Sequence, residues 1–266
     1  MSLIQAQNVC VSYASRPILE GINLQIEEGE FVCLLGQTGC GKSTLLRLIL
    51  GSEHPTRGRL LVDGQELLQP DRTRGYVPQK YSLFPDKTVL DNITFGVEVS
   101  QFGLLKRFTP QFYRRRREFR EEALDYLRRV GLRVTDAGKY PEQLSGGMQQ
   151  RVAIAQALMT RPRILLMDEA FSALDPGTRR EMQTLLRELW RATGTTVIFV
   201  THNTHEALHL GTRVVVLAKD SPEQGSREML DLQVAENCQE EEIPRLVRRL
   251  ENASRPPFAE AVPAMG

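Results

Sequence analysis

A phosphate-binding loop is the feature that most constrains this chain. Residues 36–43 (GQTGCGKS) fit the pattern G-x-x-x-x-G-K-[ST] at every fixed position. The loop lies between an apolar run at 31–35, which is typical of a buried strand, and a run at 44–50 that continues as an apolar helix. In this context backbone N–H groups and a helix N-terminus point at phosphate oxygens. The sequence therefore predicts an α/β chain that binds a nucleoside triphosphate.

The residues of the loop have separate expected roles. Lys42 is expected to reach the β- and γ-phosphates, and the Ser43 hydroxyl to ligate Mg²⁺. Because Lys42 and a helix N-terminus both favour thiolate, Cys40 is expected to be a reactive thiol whose alkylation blocks nucleotide binding. The complete match to the phosphate-loop pattern argues against the alternative that Lys42 lies by chance in a glycine-rich turn. The expected nucleotide-binding residues of this segment are Gly36, Gln37, Thr38, Gly39, Cys40, Gly41, Lys42, Ser43 and Thr44.

Charge and composition exclude several classes of protein. The 266 residues include 34 basic and 33 acidic side chains, for a net charge of +1. This balance argues against a polyanionic partner, so no nucleic acid is expected. No apolar run approaches the roughly 20 residues that cross a bilayer, and the N-terminus has no signal-peptide pattern. The four cysteines lack CxxC spacing, which favours reduced thiols in a cytosolic protein.

Strand-like and helix-like segments alternate and predict a mostly parallel sheet. Short runs punctuated by Gly21 and Gly29 predict strands in the first 35 residues, and residues 88–160 have helical spacing. Further strands and helices follow, with predicted strands at 59–62, 75–77, 163–167, 196–200 and 213–217 and a helix at 178–192. Residues 221–266 contain nine acidic and five basic side chains, which indicates an acidic helical extension with a loose tail.

One basic segment differs from the rest of the chain. Residues 103–120 contain seven basic side chains, one acidic side chain and four aromatic ones. A solvated basic helix face explains this composition, and contact with a partner protein or with anionic lipid headgroups explains it equally well. Nucleic acid is the weaker alternative because the rest of the chain does not support it.

An apolar run followed by two carboxylates forms a second constellation. Residues 164–167 are apolar, and Asp168 and Glu169 follow them directly. Because such a strand ends at the carboxyl edge of a sheet, Asp168 is expected beside the phosphate loop, where it can hold Mg²⁺ directly or through water. Glu169 is then free to orient and polarise the attacking water as a general base. The apolar run directly before Asp168 and Glu169 argues against the alternative that they are merely an exposed pair of surface carboxylates.

A third motif, at residues 144–151 (LSGGMQQR), places a serine and two glycines before a helix. An anion site and a simple N-cap explain this motif equally well when it is taken alone. Together with the other motifs, it makes the chain resemble the ATP-binding subunit of an ABC (ATP-binding cassette) transporter, whose signature motif it matches. The resemblance covers roughly residues 1–220.

The resemblance implies roles for further residues. Tyr13 resembles the aromatic residue that stacks on adenine, and Gln79 the Q-loop glutamine that touches Mg²⁺ and the attacking water. Residues 172–175 resemble the D-loop, and His202 the switch histidine that contacts the γ-phosphate. The implied catalytic residues are Glu169, His202, Gln79 and Lys42, and the implied metal-binding ones are Ser43, Gln79 and Asp168. The implied nucleotide-binding residues beyond the loop are Tyr13, Ser145, Gly146, Gly147, Gln149 and Asp175.

The family's architecture implies how the chain is built and assembled. It consists of an α/β P-loop NTPase core with a mostly parallel sheet, an N-terminal antiparallel β subdomain, a helical signature subdomain at about 88–160 and a C-terminal helical extension. The expected domains are a cassette at 1–220 and the extension at 221–266. Two cassettes, expected to be identical copies, would pair head to tail, so that Ser145 and Gly147 of one reach the γ-phosphate held by the other.

The resemblance also implies a function. The chain is expected to hydrolyse ATP at the cytoplasmic face of the inner membrane and to power solute import through separate transmembrane permease subunits of a bacterial transporter. It would dock on them through residues 79–100 and act indirectly with an extracytoplasmic solute-binding protein. The motifs are most similar to the nitrate, sulfonate and taurine branch, so a small anion or a small nitrogen or sulfur compound is expected.

Two alternatives remain open at this point. A non-transport ABC ATPase acting on ribosomes or DNA is a different class, but such relatives carry two cassettes or a long inserted coiled coil. The C-terminal extension is either a regulatory module or a helix packed on its own cassette.

Overall fold

The structure is a computed structural model that describes residues 2–80, 82–102, 109–221, 223–235 and 242–254. Its strands are β1 (Ser2–Tyr13), β2 (Arg16–Glu27), β3 (Phe31–Leu35), β4 (Arg57–Val62), β5 (Gln65–Glu66), β6 (Arg74–Val77), β7 (Ile164–Asp168), β8 (Thr196–Thr201), β9 (Arg213–Ala218) and β10 (Arg227–Gln233). Its α-helices are α1 (Lys42–Leu50), α2 (Val89–Gln101), α3 (Pro110–Arg129), α4 (Gly146–Met159), α5 (Pro176–Thr193), α6 (Thr204–Leu210) and α7 (Ile243–Ser254). The predicted basic residues at 106 and 107, Cys238 and the predicted loose tail from 255 onward lie outside the described residues.

The chain divides into two compact units. The first contains Met1–Asp71 and Thr196–Gly266, and the second contains Arg72–Thr195. In the first unit β1 pairs antiparallel with β2 on one side and with β4 on the other, and β5 continues from β4. Buried and exposed side chains alternate over much of β2, as expected for a sheet with one face on the core.

The first unit also contains parallel strands. β3 lies between β8 and β9 and runs parallel to both, and β10 pairs antiparallel with β9. Every residue of β3 and β8 is buried, which is typical of strands covered on both faces. This arrangement places the residues that follow β3 and β8 at one edge of the sheet.

The C-terminal extension is helical at α7, as predicted, and it also contains β10, a strand that sequence reasoning did not anticipate. Helix α7 packs against α6, β9 and β10, and its Leu250 is completely buried. The helix therefore packs on its own unit, which favours a helix packed on its own cassette over a regulatory module.

The second unit is mostly helical. β6 and β7 form a parallel pair, and α4 packs against α2, α3 and β6. Helices α2, α3 and α4 fall in the segment 88–160 that was predicted to be helical. Within the described residues, no helix combines the length and the apolar character that a membrane span requires.

The basic segment is helix α3 where it is described. On its α2-facing side, Arg120 donates to Asp91 at 2.7 Å, and Arg116 donates to both Asp91 and Glu98 at 3.3 and 3.2 Å. On the other side, the side chain of Arg117 is 86% exposed. Among the described basic residues of this segment, Arg116 and Arg120 therefore join two helices, whereas the side chains of Arg114 and Arg117 are solvated.

Candidate functional site

The predicted phosphate loop connects β3 to α1 in the first unit. A Cβ atom on Gly36 would lie 2.3 Å from the backbone oxygen of Leu217 in β9, so only glycine fits there. Gly41 caps α1 in the left-handed region, with φ 93°. The exposed residues of the loop are Gln37, Thr38 and Gly39. The backbone thus turns sharply at a helix N-terminus, as an anion site requires.

Lys42 folds back over the loop that precedes it. Its Nζ donates to the backbone oxygens of Gly36 at 2.8 Å and Gln37 at 2.9 Å, and its side chain is buried. A phosphate oxygen is a stronger acceptor for this ammonium than a neutral carbonyl. The lysine is therefore held in the loop by contacts that a bound triphosphate can replace.

The structure argues against the expectation that Cys40 is a reactive thiol. The side chain is buried, and burial raises the pKa of the thiol. The positive charge of Lys42 and backbone N–H groups act in the opposite direction without outweighing burial. The thiolate fraction at neutral pH is therefore below that of an ordinary cysteine.

His202 follows the last residue of β8. Because Thr201 pairs with Leu35 across the parallel strands, His202 and the phosphate loop leave the same edge of the sheet in the first unit. The imidazole is exposed. Sequence reasoning missed the group that holds this turn: buried Glu206 accepts the Thr201 hydroxyl at 2.5 Å.

Tyr13 is the last residue of β1 and its side chain is 45% exposed. Its hydroxyl donates to a carboxylate oxygen of Glu53, whose other oxygen accepts from Arg47 at 2.6 Å. Arg47 also donates to the hydroxyl oxygen of Thr44 at 3.2 Å. Neither Arg47 nor Glu53 has a motif that sequence reasoning could have recognised.

The second unit brings the predicted carboxylate and Q-loop residues together. β6 and β7 are parallel, so the residues beyond Val77 and Asp168 leave the same edge. Asp168 is buried at the end of β7. The amide of Gln79 donates to Glu169 at 3.3 Å. Glu169 has φ 45°, a left-handed backbone that is unfavourable for a glutamate.

The predicted signature residues begin helix α4. Exposed Ser145 is its N-cap and accepts from the backbone N–H of Met148 at 3.3 Å. A Cβ atom on Gly147 would lie 2.6 Å from a side-chain carbon of Thr178, so the glycine also allows close packing. The amide of Gln149 turns back and donates to the backbone oxygen of Pro141 at 2.9 Å.

Asp175 is the N-cap of α5 and accepts from the N–H groups of Gly177 at 3.1 Å and Thr178 at 3.0 Å. The hydrogen bonds with Thr178 lower the pKa of this carboxyl. Sequence reasoning missed Arg179, whose guanidinium donates to the backbone oxygens of Phe171, Ser172 and Leu174. This arginine fixes the loop that precedes α5.

The described residues contain no cluster of three or more His, Cys, Asp or Glu side chains that could hold a metal ion alone. The predicted donors are hard oxygens, namely the hydroxyl of Ser43 in the first unit and the side-chain oxygens of Gln79 and Asp168 in the second. Mg²⁺ is commonly bound by one or two such groups together with substrate phosphates and water, so the donor set fits this ion in the presence of a nucleotide.

The family model, the similar proteins and the similar structures all indicate one family. The chain matches the ABC transporter family over residues 19–172. An uncharacterized ABC transporter ATP-binding protein of Methanocaldococcus jannaschii is 47% identical over 199 residues, which cover 75% of this chain and 70% of the relative. A nitrate import ATP-binding protein of Synechocystis sp. is 44% identical over 200 residues, covering 75% and 70%. A taurine import ATP-binding protein of Rhizobium johnstonii is 44% identical over 221 residues, covering 81% and 79%.

Other similar proteins have names that refer to import of sulfate/thiosulfate or of spermidine/putrescine. Among solved structures, the dimeric structure of a bacterial ABC transporter cassette gives a TM-score of 0.72 at 32% identity, covering 87% of this chain and 99% of that one. A dimeric ATP-binding cassette in a post-hydrolysis state, bound to ADP and Pi, gives a TM-score of 0.71 at 31% identity.

Proposed function

Because this chain belongs to the ABC transporter family as an ATP-binding subunit, we propose that it hydrolyses ATP to power solute import through transmembrane permease partners. The predicted fold class is confirmed: antiparallel strands, mostly parallel strands and helices build an ABC ATPase cassette. The site residues and their roles are part of the proposal.

The first unit supplies the groups that bind the nucleotide. The residues at 36–44 bind the phosphates through backbone N–H groups, and the Lys42 ammonium contacts the β- and γ-phosphates. Tyr13 stacks on the adenine ring, for which its exposed side chain is suited. His202, exposed at the same strand edge as the loop, contacts the γ-phosphate.

The second unit supplies the group that activates water. The observation that carries the proposal is the contact between Gln79 and Glu169. It holds the Glu169 carboxylate directly after a buried strand, at a residue whose backbone is left-handed. Glu169 orients the attacking water and accepts its proton, and Gln79 fixes the direction of the carboxylate.

Ser43, Asp168 and Gln79 would hold Mg²⁺ together with phosphate oxygens. When bound, the ion neutralises charge on the β- and γ-phosphates. Asp168 is the last residue of β7 and is buried, so the strand determines where its carboxylate lies.

The assembly we propose is a two-fold pair of identical cassettes. At the start of α4, Ser145 and Gly147 of one chain contact the γ-phosphate held by the other. The other nucleotide-binding residues of this surface are Gly146, Gln149 and Asp175. The dimeric cassettes among similar structures support this arrangement. The pair docks on permease subunits at the cytoplasmic face of the inner membrane through residues 79–100, and a solute-binding protein takes part indirectly.

The test of the proposed function is the variant Glu169→Gln. Hydrolysis of MgATP should fall by at least about 100-fold, because the general base is lost, while binding of MgATP is retained. Light scattering should show the mass of a dimer with MgATP. Glu142→Gln, which removes an exposed carboxylate in the same unit, is the control. Hydrolysis by Glu169→Gln at the wild-type rate would show that Glu169 is not the base.

For the solute we propose a small anion or a small nitrogen or sulfur compound of the nitrate, sulfonate or taurine type. The similarity to nitrate and taurine import proteins supports this class. The test uses the chain isolated with its permease in nanodiscs, with its binding protein added. Nitrate or taurine should stimulate ATP hydrolysis, and stimulation by spermidine alone would contradict the assignment.

A further inference from the structure

A chain of hydrogen bonds connects the end of β1 to the first turn of α1, entirely within the first unit. Tyr13 donates its hydroxyl to Glu53, Glu53 accepts from Arg47 at 2.6 Å, and Arg47 donates to Thr44 at 3.2 Å. This series of hydrogen bonds thus begins at Tyr13, which is assigned to the adenine ring, and ends at Thr44, which is assigned to the phosphates. Neither Arg47 nor Glu53 belongs to the motifs described above.

The backbone brings Glu53 into this position. Helix α1 ends at Gly51 in the left-handed region with φ 85°, and the N–H of Glu53 then donates to the backbone oxygen of Arg47 at 3.3 Å. The segment is also tied to β1, because the N–H of Thr56 donates to the backbone oxygen of Cys10 at 2.8 Å. Glu53 is therefore held near both Arg47 and the end of β1 by backbone contacts.

The bond from Tyr13 to Glu53 constrains the aromatic ring without covering it. The side chain is 45% exposed, so a ligand can reach the ring. A tyrosine held at its hydroxyl loses rotational freedom before the ligand arrives, which reduces the entropy lost on binding. Phenylalanine would offer the same ring without this constraint.

The bond from Arg47 to Thr44 determines how the threonine hydroxyl can act. Since the guanidinium only donates, the Thr44 oxygen accepts, and the hydroxyl hydrogen is left to donate to an anion. Thr44 is buried in the first turn of α1, beside Ser43. Arg47 thereby leaves Thr44 as a potential donor in the first turn of α1, directly after the loop.

We propose that Arg47 and Glu53 are positioning residues that hold Tyr13 for purine stacking and Thr44 for phosphate binding, so that the two halves of the nucleotide are bound by one connected group. This inference rests on the proposed function, because it assumes that the loop binds ATP. Arg47 and Glu53 do not touch the reacting atoms. They affect the affinity for the nucleotide and the part of that affinity that the adenine ring contributes.

Calorimetry with two ligands tests the proposal on the full chain. MgATP contains the base, and magnesium tripolyphosphate contains only phosphates. Tyr13→Phe should weaken MgATP binding about 3- to 10-fold, as expected for one hydrogen bond, and leave tripolyphosphate binding unchanged within about twofold. Glu53→Ala should weaken MgATP binding by at least as much, because it also removes the partner of Arg47. Arg47→Met should weaken binding of both ligands, because it removes the contact with Thr44 as well.

The double variant distinguishes positioning from a general loss of structure. If Glu53 acts through the tyrosine hydroxyl, Tyr13→Phe with Glu53→Ala should bind MgATP no more weakly than Glu53→Ala alone. Glu66→Ala, which removes an exposed carboxylate of the same unit, should match the wild type for both ligands. The melting temperatures of the ligand-free variants show that each is folded.

The outcomes separate this inference from the proposed function. Wild-type protein that binds tripolyphosphate but not MgATP would overturn the assignment to ATP, and this inference with it. Wild-type protein that binds MgATP, with Tyr13→Phe equal to it, would overturn the inference alone. Equal losses for both ligands in Tyr13→Phe would also overturn it, because the effect would not depend on the base.

Discussion

Adjacent glutamines in α4 have opposite hydrogen-bonding status. Gln150 is fully buried, and within the described residues neither polar atom of its amide has a hydrogen-bond partner. The amide of Gln149 instead donates to the backbone oxygens of Pro141 and Leu144. A buried amide without partners costs roughly 1–3 kcal/mol, whereas a bonded one contributes to stability.

Replacing Gln150 by the apolar, similarly shaped methionine should therefore stabilise the protein. We expect Gln150→Met to raise the free energy of unfolding in urea by about 1–2 kcal/mol. Gln149→Met is the matched variant and should lower it by about 1 kcal/mol, because two carbonyls lose a donor. Destabilisation by Gln150→Met would indicate that an ordered water satisfies the amide.

The thiol of Cys40 should react slowly at neutral pH. Because burial raises its pKa, the reactive thiolate fraction is small at pH 7.5 and grows as the pH rises. Mass spectrometry after brief iodoacetamide treatment should find Cys10, which is partly exposed, modified before Cys40. MgATP binding should survive this treatment. Faster alkylation of Cys40 than of Cys10 at pH 7.5 would contradict the expectation.

These residues show which parts of the site the sequence could predict. The fixed positions of the loop determine its backbone, so Gly36, Gly41 and Lys42 could be predicted from spacing alone. The state of Cys40 could not, because its burial depends on how other elements cover the loop. The partners of Tyr13 could not be predicted either, since Glu53 comes from a turn 40 residues away.

At the scale of elements, Asp91 joins α2 to α3. It accepts from Arg120 and Arg116 on α3 and from the Thr88 hydroxyl that caps α2. Burial by itself raises the pKa of Asp91, but the Thr88 hydrogen bond and the two arginines outweigh it and lower the pKa overall. Because the folded-state pKa lies below the unfolded value of about 3.9, the stabilisation is present above that pH and is lost as the pH falls through the folded pKa.

Asp91→Asn should consequently reduce stability at neutral pH and flatten its acid dependence. We expect a loss of roughly 1 kcal/mol at pH 7, since the side chains are partly solvated. The difference from wild type should shrink as the pH falls below about 4 and as salt is added. Asp125→Asn, whose carboxylate pairs with Arg128 on one helix and is 63% exposed, is the control and should change stability by less than about 0.5 kcal/mol. A constant difference from pH 7 to 3 would contradict a charge effect.

The strands and helices also show where a sequence pattern predicts secondary structure and where it does not. β3 and β8 could be predicted because they are continuous apolar runs, and α5 because its apolar residues recur at helical spacing. β10 could not, because it is rich in charged residues and each of its side chains is exposed or half-buried. Its extended conformation comes from the backbone of β9, which it pairs with.

At the scale of the whole molecule, the proposed mechanism requires two chains for one site. Lys42 lies in the first unit and Ser145 in the second, where Ser145 is exposed at the start of α4. If Ser145 of one chain completes the site that contains Lys42 of the other, two defective chains can complement each other. The variants Lys42→Ala and Ser145→Arg should each lose hydrolysis as pure proteins.

A mixture of the two variants should recover activity. About half of the dimers in an equal mixture contain one chain of each kind, and each of these has one intact site out of two. Single-turnover hydrolysis of MgATP should thus reach roughly a quarter of the wild-type amplitude, and activity should appear only on mixing. Ser145→Ala serves as the milder variant, since it removes the hydroxyl without adding bulk at the interface. If both pure variants are inactive and the mixture is inactive too, while light scattering shows mixed dimers, Ser145 does not act across the dimer.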